Sequence, residues 1–394
     1  MAVVLAFAAT LLVAVLVSAL AHRSVLSTAV LFLLAGLVLG SGVLNVIRVR
    51  PETPVVSTFA ELALFSVLYT DGMRVTFRDL RAGTLPGRAL AVGLPITLLL
   101  TAVLGRFVAG LPWAEALLLG AVLSPTDPVF AAAIVGRDEV PYRLRHLLNV
   151  ESGLNDGLAL PVVVVLLAVV SGGPVHGLRL AAQLAGGVAL GVAIPWVAIR
   201  LERLPVLGAA SLYEPLTAFA LGLLVLSVAS ITHANEFLAA FAAGITLATL
   251  SPGMRAAFHQ FGELIAELLK LAALLLFGAL ISPSFLRDIP LTGYAFAVLA
   301  LVVVRPIALA FALFRSDLDR REWVAAAWFG PKGFASVVYG LLILESRVAD
   351  ADRLFHLTAI VIVLSILAHA STDVVVARWF RIDPGEPEVD AIPN

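Results

Sequence analysis

The sequence predicts an all-α polytopic membrane protein, and three observations support this fold class. Hydrophobic residues occupy 61% of the 394 positions and charged residues only 13%, whereas about a quarter of a typical soluble domain is charged. The mean hydropathy is +1.03. Apolar stretches of about 18 residues, long enough to cross a bilayer as helices, recur along the whole chain. We therefore expect one transmembrane domain over 1–394 in a lipid bilayer, with a short polar tail at 383–394.

The apolar stretches divide into thirteen segments. Their predicted spans are 3–21, 25–42, 55–71, 88–105, 114–135, 143–170, 177–200, 213–231, 236–250, 261–282, 291–314, 322–345 and 354–380. An odd number of spans places the termini on opposite sides of the membrane. With the N-terminus outside, the inner loops hold sixteen basic residues and the outer loops seven. Because cytoplasmic loops are enriched in Lys and Arg, we predict a cell-membrane protein with a cytoplasmic C-terminus.

Composition and missing signatures argue against several classes of function. The formal net charge of −1 provides no basic field for nucleic acid. Cysteine is absent, so thiolate and disulfide chemistry are excluded. An intramembrane protease needs an aspartate pair or a Ser-His dyad with a signature such as G-x-G-D, which the sequence lacks. We therefore predict no enzymatic activity and no cofactor.

Two of the segments contain helix breakers near their middles. Segment 114–135 contains Pro125 and Pro128 within "SPTDP", and segment 322–345 contains "GPKG" at 330–333. A proline inside a helix removes one backbone hydrogen bond and clashes with the preceding turn. Freed backbone groups at membrane depth are tolerated only where protein or a water-filled cavity satisfies them. Two discontinuous helices, one in each half, suggest inverted repeats and are more typical of a secondary transporter than of a channel.

The stretch "VESGLNDG" at 150–157 places polar groups at the start of a long apolar run. Ser152 and Asp156 are four residues apart and share one helix face, and Glu151 and Asn155 share the adjacent face. An ionised side chain at the bilayer centre costs about 2.5–3.5 kcal/mol on insertion scales. Such groups need partners or a function, so we expect them to point into the bundle.

The broken segment 114–135 supplies Thr126 and Asp127, which we expect to face Ser152 and Asp156. Together these four residues predict an all-oxygen site for a hard monovalent cation, because no soft ligand of the kind that transition metals prefer is present. Burial of a carboxylate favours its protonated form. Asp156 can therefore bind a proton and a cation at different times, which is the simplest physical basis of antiport.

Several polar residues have structural alternatives. Asp127 is also suited to cap the second half-helix of its own segment. Glu151 and Lys332 both lie in polar stretches and need neutralising, so we predict a structural ion pair between them. Arg305 is expected to make a structural or half-helix contact. Asp71 in "LYTDGMR" either joins the cation site or marks the inner end of its segment.

Four motifs resemble those of a known family. "SPTDPVFAA" and "VESGLNDG" resemble the paired signature of NhaP-type sodium/proton antiporters, a branch of the monovalent cation:proton antiporter superfamily that also contains the animal sodium/proton exchangers. "EFLAAFAAGITLA" and "GPKGFASVVYGL" resemble two further family segments in the family's order. The resemblance implies a homodimer, a dimerisation domain interleaved with a mobile core domain, two crossed broken helices, and elevator-like alternating access.

The resemblance also implies roles for individual residues. Asp156 is the position that carries the ion and the proton, and Asn155 beside it holds the helices in place. Thr126, Asp127 and Ser152 complete the site. An Asn-Asp pair is the form associated with electroneutral, one-for-one exchange of Na⁺ or Li⁺ for H⁺. Exchange of K⁺ for H⁺ by the same architecture is the alternative that the sequence leaves open.

The chain departs from the family pattern at a few positions. Lys332 stands where the family has an arginine, and lysine is a flexible point charge without the planar fork of arginine. This implies a looser pairing with Glu151, and a titrating Lys332 would add a second proton-linked group. Gly153 and Gly157 loosen one turn of the helix that carries the Asn-Asp pair. Asp71 lies near an acidic position on the family's third helix, which is why it joins the predicted site.

Overall fold

The computed structural model describes residues 1–21, 28–40, 43–49, 54–76, 84–127, 134, 137, 139–172, 177–202, 204, 213–346 and 348–380. Every secondary-structure element in these ranges is helical, as the composition predicts. The polar tail at 383–394 and most of the second half of segment 114–135 lie outside the described residues.

The described residues form a series of helices. In chain order they are α1 (Ala2–Ala21), α2 (Thr28–Leu39), α3 (Pro54–Arg74), α4 (Leu85–Phe107), α5 (Trp113–Val122), α6 (Tyr142–Val170), α7 (Gly177–Glu202), α8 (Glu214–Ile231), α9 (Glu236–Leu250), α10 (Pro252–Leu280), α11 (Pro283–Asp288), α12 (Leu291–Ala312), α13 (Arg320–Trp328), α14 (Phe334–Glu345) and α15 (Ala351–Ala377).

The helices agree with the segments predicted from hydropathy. Each predicted segment overlaps a described helix. Within the described ranges, six helices are long and apolar enough to cross a membrane, and five apolar helices are shorter. The exact number of spans stays a prediction. Helix α10 starts at Pro252, nine residues before the predicted 261, because its first turns carry the polar residues Arg255, His259 and Gln260, which lower the local hydropathy.

Close backbone contacts hold the bundle together at small residues. A Cβ atom added at Gly72 of α3 would lie 2.5 Å from the carbonyl oxygen of Phe241 in α9, and one added at Gly244 would lie 2.3 Å from that of Tyr69. Lipid provides no hydrophobic drive for helix association, so small residues that allow close packing form such interfaces. Helix α3 is thereby fixed against α9, and it packs against α10 as well.

Two helical segments are interrupted at the predicted breakers. Helix α5 ends at Val122, and the chain through Asp127 is not helical; Phe329–Gly333 likewise separates α13 from α14. The freed backbone groups find partners in the protein. The N–H of Asp127 donates to the carbonyl of Pro331 (2.9 Å), so the two interruptions are in direct contact.

Two long helices each contain a π-helical turn, which the sequence analysis did not predict. These turns span Ala89–Gly93 in α4 and Ala300–Val304 in α12. The part of α12 that follows its π-turn packs against the π-turn of α4. A π-turn fits one extra residue into a helix, and the first residue after the turn of α12 is the buried Arg305.

Candidate functional site

The crossing of the two interrupted segments is centred on Asp127 and Gly333. A Cβ atom on Gly333 would lie 1.9 Å from the Cβ atom of Asp127, so this close approach requires glycine. Asp127 is 4% exposed, and its Oδ2 accepts a hydrogen bond from the backbone N–H of Phe334 (3.2 Å). Asp127 thus caps the N-terminus of α14 in the opposite segment, where its negative charge meets the positive end of the helix dipole.

Thr126 links the interruption after α5 to helix α6. Its Oγ1 lies 3.2 Å from the Oγ of Ser152 and accepts a hydrogen bond from the Nδ2 of Asn155 (2.7 Å). All three side chains are buried. Among the described residues, the Oδ1 of Asn155 is buried without a hydrogen-bond partner. The structure thus brings together Thr126, Asp127, Ser152 and Asn155, and it leaves one amide oxygen available to a further ligand.

Asp156 lies one turn beyond Ser152 on α6 and is 4% exposed. The hydroxyl of Tyr339 in α14 donates to the backbone carbonyl of Asp156 (2.9 Å) and fixes this turn against the crossing. Within the described part of the chain, the carboxylate itself has no hydrogen bond and no ion pair. Asp71, Asp127 and Lys270 are near enough to interact with it electrostatically. A buried carboxylate in this situation binds a proton or a cation readily.

Glu151 has a different partner from the one that the sequence predicts. Its two carboxylate oxygens accept hydrogen bonds from Nη1 and Nη2 of Arg305 at 2.7 and 3.0 Å, and Arg305 Nε donates to the carbonyl of Ala326 (3.0 Å). The planar fork of arginine matches a carboxylate in this bidentate way. Gly330 leaves room for the arginine, because a Cβ atom there would lie 2.2 Å from Arg305 Cδ. The predicted ion pair between Glu151 and Lys332 is therefore wrong, and Arg305 is the partner of Glu151.

Lys332 lies in the interruption before α14 and is 4% exposed. Its backbone N–H donates to the Oγ of Ser365 in α15 (2.7 Å). No carboxylate of the described residues lies within ion-pair distance of its side chain. Glu151, its predicted partner, is paired with Arg305 instead. Lys332 therefore lies near the buried pair of Glu151 and Arg305 but is not part of it.

Asp71 lines a cavity of about 500 Å³ between α3 and α10, and it is near enough to Asp127 and Asp156 to interact with both electrostatically. Arg74 contacts it on α3, with Nη1 3.3 Å from Asp71 Oδ1, and Nη2 of Arg74 donates to Glu263 Oε1 on α10 (2.9 Å). Glu267 and Lys270 complete the charged lining. The cavity lies at the inner end of α3 in the predicted orientation.

Sequence reasoning expected a structural contact of Arg305 but did not identify Glu151 as its partner. It missed the hydrogen bond of the Tyr339 hydroxyl and the link from Arg74 to Glu263. Arg305 carried a usable signal, since an arginine inside an apolar segment needs a buried carboxylate. The link from Arg74 to Glu263 joins residues 189 positions apart, and no local pattern indicates it.

Comparison with protein families and curated proteins gives consistent matches. A family model described as "Sodium/hydrogen exchanger, transmembrane" matches residues 9–379. The K⁺/H⁺ antiporter NhaP2 of Shewanella baltica is 25% identical over 338 residues, which cover 83% of this chain and 58% of that protein. The K⁺/H⁺ antiporter NhaP of Alkalimonas amylolytica is 25% identical over 360 residues, covering 89% and 62%. The chain thus spans about three-fifths of the length of these curated relatives.

Solved structures share the fold. The sodium proton antiporter MjNhaP1 from Methanocaldococcus jannaschii, determined at pH 8, superposes with a TM-score of 0.78. The match covers 94% of this chain and 98% of that one at 19% sequence identity. A likeness at this identity shows the architecture, an all-helical membrane bundle.

Proposed function

Because the chain belongs to the sodium/hydrogen exchanger family, we propose that it is a secondary active antiporter that exchanges Na⁺ or Li⁺ for H⁺ by alternating access. One observation carries this proposal. The Asp156 carboxylate is buried beside two crossing helix interruptions and has no hydrogen bond and no ion pair among the described residues. A charge placed there without a partner is costly, and a transported ion or proton supplies the partner.

The cation site is proposed to consist of oxygen atoms from α6 and from the interruption after α5. Asp156 supplies the carboxylate, Ser152 and Thr126 supply hydroxyls, and Asp127 contributes charge from the crossing. Oxygen ligands of this kind suit a hard cation. Asn155 holds Thr126 in place through its Nδ2, and its free Oδ1 faces no protein donor among the described residues. This amide oxygen is an additional candidate ligand.

The exchange cycle follows from competition for one carboxylate. When Asp156 is ionised, it binds the cation; when a proton binds, the Asp156 carboxyl group becomes neutral and the cation leaves. Each state neutralises the buried charge, and the empty ionised site is the costly one. One titrating carboxylate per site predicts one-for-one, electroneutral exchange. Asp71 is proposed to pass the cation between the inner cavity and Asp156, since it lines that cavity.

Potassium is the second candidate cation. The relatives from Shewanella baltica and Alkalimonas amylolytica are named K⁺/H⁺ antiporters, whereas the related solved structure is named a sodium proton antiporter. The oxygen donors described above suit either ion. Proton-coupled exchange is common to both candidates.

The assembly is proposed to be a homodimer in the cell membrane, with the N-terminus outside and the C-terminus in the cytoplasm. Residues 1–394 would form one transporter domain in which dimerisation and core parts interleave, and the core would move as an elevator. The basic-residue bias of the loops supports the orientation. The direct contact between Asp127 and Pro331 supports a rigid core around the two interruptions.

A pH-sensitive dye in proteoliposomes with an imposed pH gradient tests the proposal. Na⁺, Li⁺ and K⁺ are added separately to wild type and to Asp156→Asn. We expect dequenching by Na⁺ and Li⁺ in wild type, and none in the variant. Equal rates in the variant would remove Asp156 from the mechanism, and a response to K⁺ alone would select the second candidate. Rates that change with membrane potential would contradict one-for-one exchange.

A further inference from the structure

In the cavity between α3 and α10, the positive and negative side chains of the lining nearly cancel in formal charge. Three carboxylates line it, Asp71, Glu263 and Glu267, together with two cationic side chains, Arg74 and Lys270. The formal charge of the lining is therefore −1, which a single monovalent cation neutralises. If cations enter through this cavity, Arg74 and Lys270 each repel an arriving ion, so their presence calls for a functional explanation.

Arg74 is shared between two acids on different helices. Its Nη2 donates to Glu263 Oε1 on α10 at 2.9 Å, whereas its Nη1 lies 3.3 Å from Asp71 Oδ1 on its own helix. Its side chain is 39% exposed, so it can move, and the Asp71 side chain is 10% exposed. Arg255 of α10 donates to the backbone carbonyl of Arg74 (2.8 Å). This bond fixes the backbone, so a rearrangement involves mainly the guanidinium.

We propose that Arg74 is a positioning residue of the exchange: it competes with the transported cation for Asp71, and Glu263 sets the strength of that competition by withdrawing the guanidinium. This inference rests on the proposed function. Glu263 holds the shorter of the two contacts, so Asp71 is only partly neutralised by Arg74. A cation that enters the cavity completes the neutralisation and displaces Nη1. Without Glu263, the full charge of Arg74 falls on Asp71, and the cation binds less well.

Variants at the two positions should change the apparent KM in opposite directions. Arg74→Gln removes the competitor and should lower the apparent KM for Na⁺ by about two- to fivefold, the size expected for one partly exposed charge pair. Glu263→Gln should raise it by a similar factor. Glu263→Asp keeps the charge but is shorter by one methylene group, so it should also raise the KM if contact with Arg74 is what matters. Dye dequenching in proteoliposomes measures KM and the maximal rate separately.

Glu267→Gln is the matched control, since it removes one negative charge from the same cavity. It should raise the KM equally with and without Arg74, whereas Glu263→Gln should raise the KM less in the Arg74→Gln background, where only the loss of its own charge from the cavity remains. An equal effect of Glu263→Gln in both backgrounds would overturn the inference. So would an unchanged KM in Glu263→Asp, which decides the matter even if Arg74→Gln does not fold. Asp156→Asn separates the two proposals, because its retained transport would contradict the proposed function alone.

Discussion

Glu151 and Asp156 lie five positions apart on α6, both are buried, and their carboxylates have opposite surroundings. Arg305 holds both oxygens of Glu151, whereas the Asp156 carboxylate has no partner among the described residues. The first acid is neutralised by a residue of the protein itself. The second depends on something that arrives from outside. The comparison therefore separates an acid that holds the fold from an acid that serves exchange, and the effect of each substitution on stability tests this separation.

The largest loss of stability is expected for Arg305→Met. This change leaves Glu151 buried without a counter-ion, and breaking a buried pair on one side typically costs about 3–5 kcal/mol. Thermal unfolding of the detergent-solubilised protein should show a large decrease for the single variant. The double variant Glu151→Gln with Arg305→Met should recover part of the loss, because no buried charge remains unpaired. A single variant as stable as wild type would contradict the structural role of the pair.

A smaller loss is expected for Gly333→Ala. The added methyl group would meet the Cβ atom of Asp127 at 1.9 Å, and overpacking of this kind costs about 1–3 kcal/mol. Transport should fall as well, because the crossing that positions Asp127 is forced apart. Gly153→Ala is the matched control: nothing lies within 4 Å of a Cβ atom there, and alanine should stabilise the helix slightly. Equal behaviour of the two variants in thermal unfolding and transport would count against the close crossing.

Lys332→Met should change the free energy of unfolding by less than about 1 kcal/mol, or increase it. The side chain is buried without an ion pair in the described residues, so methionine removes a desolvation cost without breaking a pair. Thermal unfolding measures this directly. A loss as large as that of Arg305→Met would show that Lys332 is a partner of Glu151 after all. If transport by this variant became sensitive to membrane potential, the charge of Lys332 would take part in the exchange cycle.

The smallest effect on stability, and the largest on transport, is expected for Asp156→Asn. The amide has nearly the same shape and removes a buried charge, so thermal unfolding should be unchanged or shift upwards. Exchange should be lost, since the amide cannot titrate. A marked loss of stability would indicate that the Asp156 carboxylate has a structural partner, and the distinction from Glu151 would then disappear.

Hydropathy was sufficient for the fold class and for the positions of the helices, because each span must satisfy its own backbone in lipid. The breakers at 124–128 and 330–333 also predicted the interruptions. The role of Asp127 could not be predicted from the local sequence. A cap for its own segment was a local possibility, whereas the cap that it provides to α14 depends on how two distant segments cross.

The ion pair of Glu151 shows the same limit more clearly. The sequence contains three cations in apolar segments of the second half, Lys270, Arg305 and Lys332, and composition alone could not rank them as partners of Glu151. The choice depends on which side chain reaches across the bundle with the right geometry. The fork of Arg305 fits both oxygens of Glu151, and Gly330 makes room for it. The link between Arg74 and Glu263 likewise could not be predicted, because it depends on how α3 packs against α10.

The π-turn at Ala300–Val304 determines the rotational phase of everything that follows it in α12. Each residue of an α-helix advances the side-chain direction by about 100°, so removing the extra residue would rotate Arg305 by that angle, away from Glu151. The facing turn of α4 at Ala89–Gly93 packs against the rotated part of α12. Inserting or deleting a single residue in the turn of α12 would therefore change the direction in which Arg305 points, with an effect on the buried pair that no substitution within the turn would produce.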